Sequence, residues 1–228
     1  VCDVCSKQFG GYHEAIIQIR SSSKKMSDEK KNTIEHFLNS LIDSMIEKGN
    51  RQLFVTDINY EKSGIDFLLS DKQAAAAIIK KTHERFSGDI TVSSTNVGMK
   101  DGKQIYRMTY LLRLPRFDPQ SIISKDEDLF LVLSLSNNIV HLINLKTWEE
   151  QTRQIKDFEN ANVYDYDDFV QDMIVVSQTD NDIQVMDKKT YVITIIKKPK
   201  KIGYASEQIP VVRFEDSLFL IPGESKNK

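Results

Sequence analysis

The spacing of apolar residues changes character about half-way along this chain. From Asp28 to Lys48 the apolar positions are Ile34, Phe37, Leu38, Leu41, Ile42, Met45 and Ile46. Intervals of three and four put them on one face of a helix. Ser27 suits the N-cap, Asp28 and Glu29 suit the positive helix end, and Gly49-Asn50 is a stop. A second helix is expected from the cap Ser70-Asp71 through Ala74–Ala77, Ile78, Ile79 and Phe86 to Gly88. Strands are expected at 14–19, 53–59, 65–69, 90–96 and 105–114, the last two joined by a hairpin at Lys100-Asp101-Gly102-Lys103. The order β-α-β-β-α-β-β describes a small α+β layer, a sheet with two helices on one face.

Pro115 closes that pattern. Beyond it, short apolar runs at 129–135, 139–145, 173–178, 183–186, 191–197, 210–214 and 217–221 alternate with polar turns, and no helical stripe stands out. Such spacing predicts small β-barrels or a sandwich. The length from 117 to 222 accommodates two barrels, approximately 117–165 and 166–222, with the break near Asn160–Asp168. The hairpin 183–196 is the clearest single element.

Composition adds limits. At 40 % hydrophobic and 28 % charged, the 228 residues have the make-up of a globular protein with a real core. No apolar run approaches the roughly 20 residues that span a bilayer, and no signal peptide is visible. Residues 1–116 carry 18 basic against 14 acidic residues, net +4, while residues 117–228 carry 13 against 19, net −6. A positive half beside a negative half suggests that only part of the chain faces nucleic acid; random scatter of charge is the plain alternative.

Candidate chemistry begins with Cys2 and Cys5, the only cysteines. A C-x-x-C knuckle supplies two of the four ligands of a tetrahedral zinc, so the expectation is a half-site in a chain cut from a longer protein. Two other readings stay open: a redox pair, which needs a helix N-terminus to lower one thiol pKa, and thiols without a role. Phe9-Gly10-Gly11 suits the turn after a knuckle better than a helix. His13 is the nearest further ligand candidate, though a lone His is more often a surface or packing residue. A single knuckle gives no disulfide framework, as expected of a reducing, intracellular setting.

Enzyme signatures are missing: there is no G-x-x-x-x-G-K-[ST], G-x-G-x-x-G, G-x-S-x-G or H-E-x-x-H. The four histidines are scattered, and the acidic stretch Tyr164–Asp168 lacks the ligand spacing of a calcium loop. Two basic features remain as phosphate-contact candidates. Lys197, Lys198, Lys200 and Lys201 flank Pro199 in one short loop, expected to be exposed; Arg20, Lys24 and Lys25 form a second edge before a helix N-terminus. Each taken alone is more often a solvated surface.

Cys2-x-x-Cys5 followed by Gly11-Tyr12-His13-Glu14-Ala15-Ile16-Ile17-Gln18-Ile19-Arg20 resembles the junction of the Nmd-three family, adapters of the large ribosomal subunit, where the last zinc knuckle runs into a "Y-x-E-A-I-x-Q-L-R" strand. Supporting stretches are Asp101-Gly102-Lys103 with Tyr106-Arg107 and Leu112–Pro115, Ile183–Asp187 with Thr190-Tyr191, and Val211–Leu220. The resemblance implies a remnant of a zinc-knuckle region at 1–12 and an α+β domain like a ribosomal protein at 13–115. It implies, at 117–222, a region like the hypusine-containing translation factor, built of an SH3-like and an OB-like barrel, with a tail at 223–228. It implies a non-enzymatic, monomeric, RNA-binding factor of the large subunit, engaging rRNA and ribosomal proteins, with zinc in the full-length protein and none in this piece, and neither membrane nor small-molecule substrate as partner. The chain departs from the family in lacking a counterpart of the hypusine-type lysine loop and the long shuttling tail of eukaryotic members, which favours an archaeal, cytoplasmic protein. A protein-only interaction module acting through the barrels is the competing class.

Overall fold

The computed structural model describes residues 2–23, 25–100 and 102–222. The chain divides into two compact units, residues 1–116 with 136–138, and 117–135 with the chain from 139 onward.

The first unit contains α1 (Asp3–Phe9), β1 (Ala15–Arg20), α2 (Asp28–Glu47), β2 (Val55–Glu61), β3 (Gly64–Leu69), α3 (Lys72–Phe86), β4 (Asp89–Lys100) and β5 (Lys103–Arg113). The expected β-α-β-β-α-β-β order is present, preceded by α1. The five strands form one sheet in the order β2-β3-β1-β5-β4. β1 is central, antiparallel to β3 and parallel to β5. Its side chains alternate strictly: Ala15, Ile17 and Ile19 are fully buried, while Ile16, Gln18 and Arg20 are half-buried on the opposite face. In register with Ile17 lie Phe67 and Tyr110, and with Ile19 lie Ile65 and Leu112. Ile34, Leu38 and Ile42 of α2 and Ala75, Ile78 and Ile79 of α3 close this face into one core. Phe37 and Phe86 meet edge-on, 5.4 Å between ring centroids, where the two helices approach.

The caps follow the sequence. Ser27 Oγ accepts from the Lys30 amide at 3.2 Å. Asp71 accepts from the amides of Gln73 and Ala74 and from Asn50 Nδ2. Ile46, expected in the α2 stripe, lies at its margin and is exposed. Leu53 and Phe54, expected in a strand, are buried just before β2 begins. β4 runs further than expected, with a bulge between Asn96 and Gly98; Asp101 of the expected hairpin lies outside the described residues.

The second unit is built from antiparallel sheets, as expected of small barrels. The first comprises β6 (Ile122–Lys125), β7 (Asp128–Ser136), β8 (Ile139–Asn144), β9 (Glu150–Gln154) and β10 (Asn162–Tyr164), in the order β10-β6-β7-β8-β9. The second comprises β11 (Val170–Gln178), β12 (Asp182–Asp187), β13 (Ile193–Lys197), β14 (Gln208–Phe214) and β15 (Ser217–Leu220), in the order β13-β12-β11-β14-β15. It curls until its edges β13 and β15 come within 8 Å of each other, a nearly closed barrel. Two short helical turns interrupt the all-β pattern, a 3-10 turn at Ile155–Phe158 and α4 at Tyr166–Phe169. Within and beside the acidic stretch, Tyr164, Tyr166 and Phe169 pack against the core; Tyr164 meets Phe214 edge-on, and Phe169 lies tilted against it.

Leu129, Phe130, Leu131 and Val132 are all buried because β7 has a core on each face. Leu129 and Leu131 join the cluster of the second barrel, with Trp148, Val185 and Val211; Phe130 and Val132 join Phe117, Val140, Leu142 and Phe158. Trp148 is the largest fully buried side chain. Its Nε1 donates to the Leu220 carbonyl at 3.0 Å, and its ring meets Tyr204 edge-on.

Two stability predictions follow from the first unit. Gly64 stands opposite Arg20 on β1, and an added Cβ would collide with the Ile19 carbonyl oxygen, a backbone atom that cannot rotate away. Gly64→Ala should cost at least about 2 kcal/mol, read from the urea midpoint; an unchanged midpoint would show that β1 and β3 are further apart. Burial raises the Asp71 carboxyl pKa, but hydrogen bonds from Asn50, Ala74 and Gln73 outweigh it and hold the value below the usual 3.8. The stabilisation is then present above pH 3.8 and lost as pH falls through the depressed native value. Asp71→Ala should cost about 1 kcal/mol at pH 7, with the gap to wild type narrowing in acid; a gap independent of pH would exclude the ionised cap.

Candidate nucleic-acid interface

In the first unit α2 and α3 cover one face of the sheet, the one that carries Ala15, Ile17, Ile19, Ile65, Phe67, Tyr110 and Leu112. The other face presents Ile16, Gln18 and Arg20 on β1, Asp66 and Leu68 on β3, and Arg107, Thr109, Leu111 and Arg113 on β5. Parallel pairing places Arg20 and Arg113 side by side. Asp66 is buried and takes the Arg20 guanidinium in a two-pronged ion pair, with Arg20 Nη2 3.0 Å from Oδ2 and Nη1 on Oδ1. Gln18 Nε2 donates to the same Oδ2 at 3.1 Å. Arg20 also donates to the Ile19 carbonyl. Of the basic edge read from the sequence, Arg20 is thus anchored within the sheet, Lys25 is exposed, and Lys24 lies outside the described residues.

Arg107 and Arg113 lie in stretches that carry the family resemblance but, like Lys62 in the β2–β3 turn, belong to no phosphate-contact pattern in the sequence. The signal that could have found them is register: once β1 and β5 are paired in parallel, Arg113 follows from Arg20.

In the second unit the lysine loop is not the uniformly exposed cluster expected. Lys197, Lys200 and Lys201 are exposed, but Lys198 is 9 % exposed. Its Nζ donates to the Thr179 carbonyl at 2.7 Å and to Gln178 Oε1 at 3.1 Å, 6.0 Å from the Tyr204 ring centroid. Gln178 in turn bonds both the amide and the carbonyl of Tyr204. Lys200 Nζ donates to the Trp148 carbonyl at 2.7 Å. The physical reason is geometric: β13 ends at Lys197, the Lys198 amide is held on the Asn181 carbonyl at 2.7 Å with its side chain turned inward, and the chain then bends through 199–201, leaving Lys197 and Lys201 in water. Burial pushes the Tyr204 phenol up, so it stays neutral and serves as a hydrogen-bond donor to Ile221.

At the start of the chain, α1 stands where a turn was expected, and Gly10 and Gly11 form its stop rather than the turn after a knuckle. Cys2 is the N-cap of α1, its sulfur accepting from the Cys5 amide at 3.3 Å. The two exposed sulfurs lie 3.1 Å apart, and the Cys2 hydrogen bond pushes the Cys5 thiol pKa up. A thiol pair poised for redox attack needs the opposite shift. Two adjacent soft donors fit half of a tetrahedral zinc shell; among the described residues no group of three or more His, Cys, Asp or Glu gathers to complete it. His13 Nδ1 lies 3.1 Å from the Gly11 carbonyl. The Tyr12 hydroxyl donates to Glu14 Oε1 at 2.7 Å, which raises the phenol pKa to about 12.

The lysine loop yields a prediction. Lys198→Ala removes the buried cation that donates to Gln178 and Thr179 and should destabilise the second unit by about 1 kcal/mol, whereas Lys197→Ala and Lys201→Ala should stay within about 0.5 kcal/mol of wild type. Thermal denaturation monitored at Trp148 measures both; equal effects at 197 and 198 would contradict the inward placement of Lys198.

No helix among the described residues is long and apolar enough to cross a membrane. Compared with known proteins, residues 12–114 match the family model described as NMD3, second domain. No curated protein matches the chain.

Proposed function

Because this chain belongs, through residues 12–114, to the NMD3 family of ribosome-biogenesis adapters, we propose that it is a non-enzymatic factor of the large ribosomal subunit. It contacts rRNA and ribosomal proteins during subunit maturation, export-type adaptation or quality control. The observation that carries the reading is the family match falling on the unit whose other sheet face holds Arg107 and Arg113, with the Asp66-paired Arg20, beside Gln18, Thr109 and the apolar Ile16, Leu68 and Leu111. Arginines at the rim of a sheet suit phosphate, since the guanidinium fork matches its oxygens. Lys197 and Lys201 add two exposed cations on the second unit, and Lys25 one on the first. Several weak, salt-sensitive contacts on separate modules gain strength by avidity. Cys2 and Cys5 would serve as half of a zinc site in the full-length protein, the other half coming from a second knuckle. The factor acts as a monomer in an archaeal cytoplasm, engaging neither a membrane nor a small-molecule substrate.

A second reading, protein-only binding through the barrels, draws on the β12–β13 hairpin. There Tyr191, Val192, Ile193 and Ile195 are exposed, with Ile195 64 % accessible. Salt separates the two. The purified chain should cosediment with large and not small subunits, with log affinity falling linearly against log salt concentration. Salt-independent binding would favour the apolar hairpin; equal partition between subunits would overturn the large-subunit reading.

A further inference from the structure

We propose that the first unit holds a pocket for a single phosphate group, at the C-terminal ends of its parallel strand pair. The inference rests on the reading of this unit as RNA-contacting and names the group it takes and the residues that take it. A cavity of about 620 Å³ opens where three segments meet: the Ser21–Ser23 stretch after β1, the β2–β3 turn at Lys62-Ser63, and the end of β5 at Arg113. Its charged lining is Arg20, Lys62 and Arg113, with four serines and no carboxylate.

The walls are fixed before any ligand arrives. The Ser21 amide donates to the Ser63 carbonyl at 2.8 Å, the Met26 amide to the Lys62 carbonyl at 3.0 Å, and the Leu114 amide to the Arg20 carbonyl at 2.8 Å. Ser22 Oγ adds a bond to the Leu114 carbonyl. These ties join all three segments, so little ordering entropy is left for binding to cost.

The cations divide into two roles. Arg20 is held by Asp66, whose two oxygens are occupied by Arg20 and Gln18. Asp66 therefore offsets Arg20 and has little capacity left to neutralise anything else. Lys62 and Arg113 are exposed, and among the described residues neither side chain has a hydrogen-bond or ion-pair partner. Two uncompensated cations suit a compact, tetrahedral anion with many acceptor oxygens. The hydroxyls of Ser21, Ser22 and Ser23 are tied to one another and to the Leu114 and Lys25 carbonyls, so they shape a floor of small side chains rather than donate to the ligand. Lys62 and Arg113 are the direct contacts, and Arg20 positions the floor between them. The phosphate comes either from the backbone of an RNA strand or from a terminal or free phosphate.

The test uses the full chain. Inorganic phosphate should give saturable amide shifts at Ser21, Ser22, Ser23 and Ser63 in heteronuclear NMR. Lys62→Gln with Arg113→Gln should weaken that binding at least about tenfold, while Arg113→Lys retains part of it and Lys80→Gln with Lys81→Gln, both exposed on α3, leaves it unchanged. Both target side chains are exposed, so the fold should survive, which the dispersion of the same spectra verifies. A single-stranded RNA oligomer, with and without a 5′-phosphate, then separates the sources. Equal binding by both forms, with the salt slope of the double variant reduced by about 1.4, assigns the pocket to the backbone; dependence on the 5′-phosphate assigns it to chain ends. Phosphate shifts that never saturate, or a double variant that binds phosphate like wild type, overturn the proposal. Saturable phosphate binding without large-subunit cosedimentation would keep the pocket and remove the ribosomal reading; the reverse result would remove only the pocket.

Discussion

Strand β1 must satisfy two neighbours and two faces at once, and the first unit is organised around that demand. Its backbone bonds β3 on one side and β5 on the other, so a shift of one residue would turn Ala15, Ile17 and Ile19 away from the helices. The polar row that would replace them contains Arg20, whose charge could not be buried without its partner. Core and exposed sheet face are therefore consequences of a single alternation. Asp66 belongs to the same constraint: it lies on β3 in register with Gln18, where it can hold Arg20 at the rim.

The second unit solves a different problem. Its strands are short, and one sheet cannot enclose enough apolar surface by itself. β7 answers with a continuous apolar run that serves two clusters, and Trp148 reaches from the β8–β9 connection to the last strand. The lysine loop is stitched to the same region, because Lys200 bonds the Trp148 carbonyl and Lys198 the segment beside Tyr204. Basic side chains here complete a barrel by donating to carbonyls that water would otherwise have to satisfy.

Helical period, caps and the change to short strands were legible in the sequence because each is a local pattern: Ser27, Asp71 and the Ile34–Leu38–Ile42 stripe lie within a few residues of what they specify. The basic site was legible only in part. Arg20 could be noticed, but not that Asp66 holds it, nor that Lys62 and Arg113 surround it, since those neighbours are joined by long-range pairing. Lys198 misled for a related reason. Hydropathy treats four lysines in a row of five as equivalent, whereas the bend after β13 turns Lys198 inward onto Gln178 and Thr179 and leaves Lys197 and Lys201 exposed. At Gly10-Gly11 a stop was read as a turn, because both demand the same conformational freedom.

The parallel pairing of β1 with β5 also bears on the order of assembly. The centre of the sheet is the first strand of the unit, while one of its two neighbours is the last, so that Ile17 meets Tyr110 only after the chain has been made as far as β5. Contacts of such high sequence separation slow folding, because loop closure must precede the gain from pairing. During synthesis α2 and α3 are available to cover Ala15, Ile17 and Ile19, but the backbone groups along one edge of β1 have no strand to pair with until β5 is made. An unpaired strand edge of this kind is where a partly made sheet is open to wrong pairing.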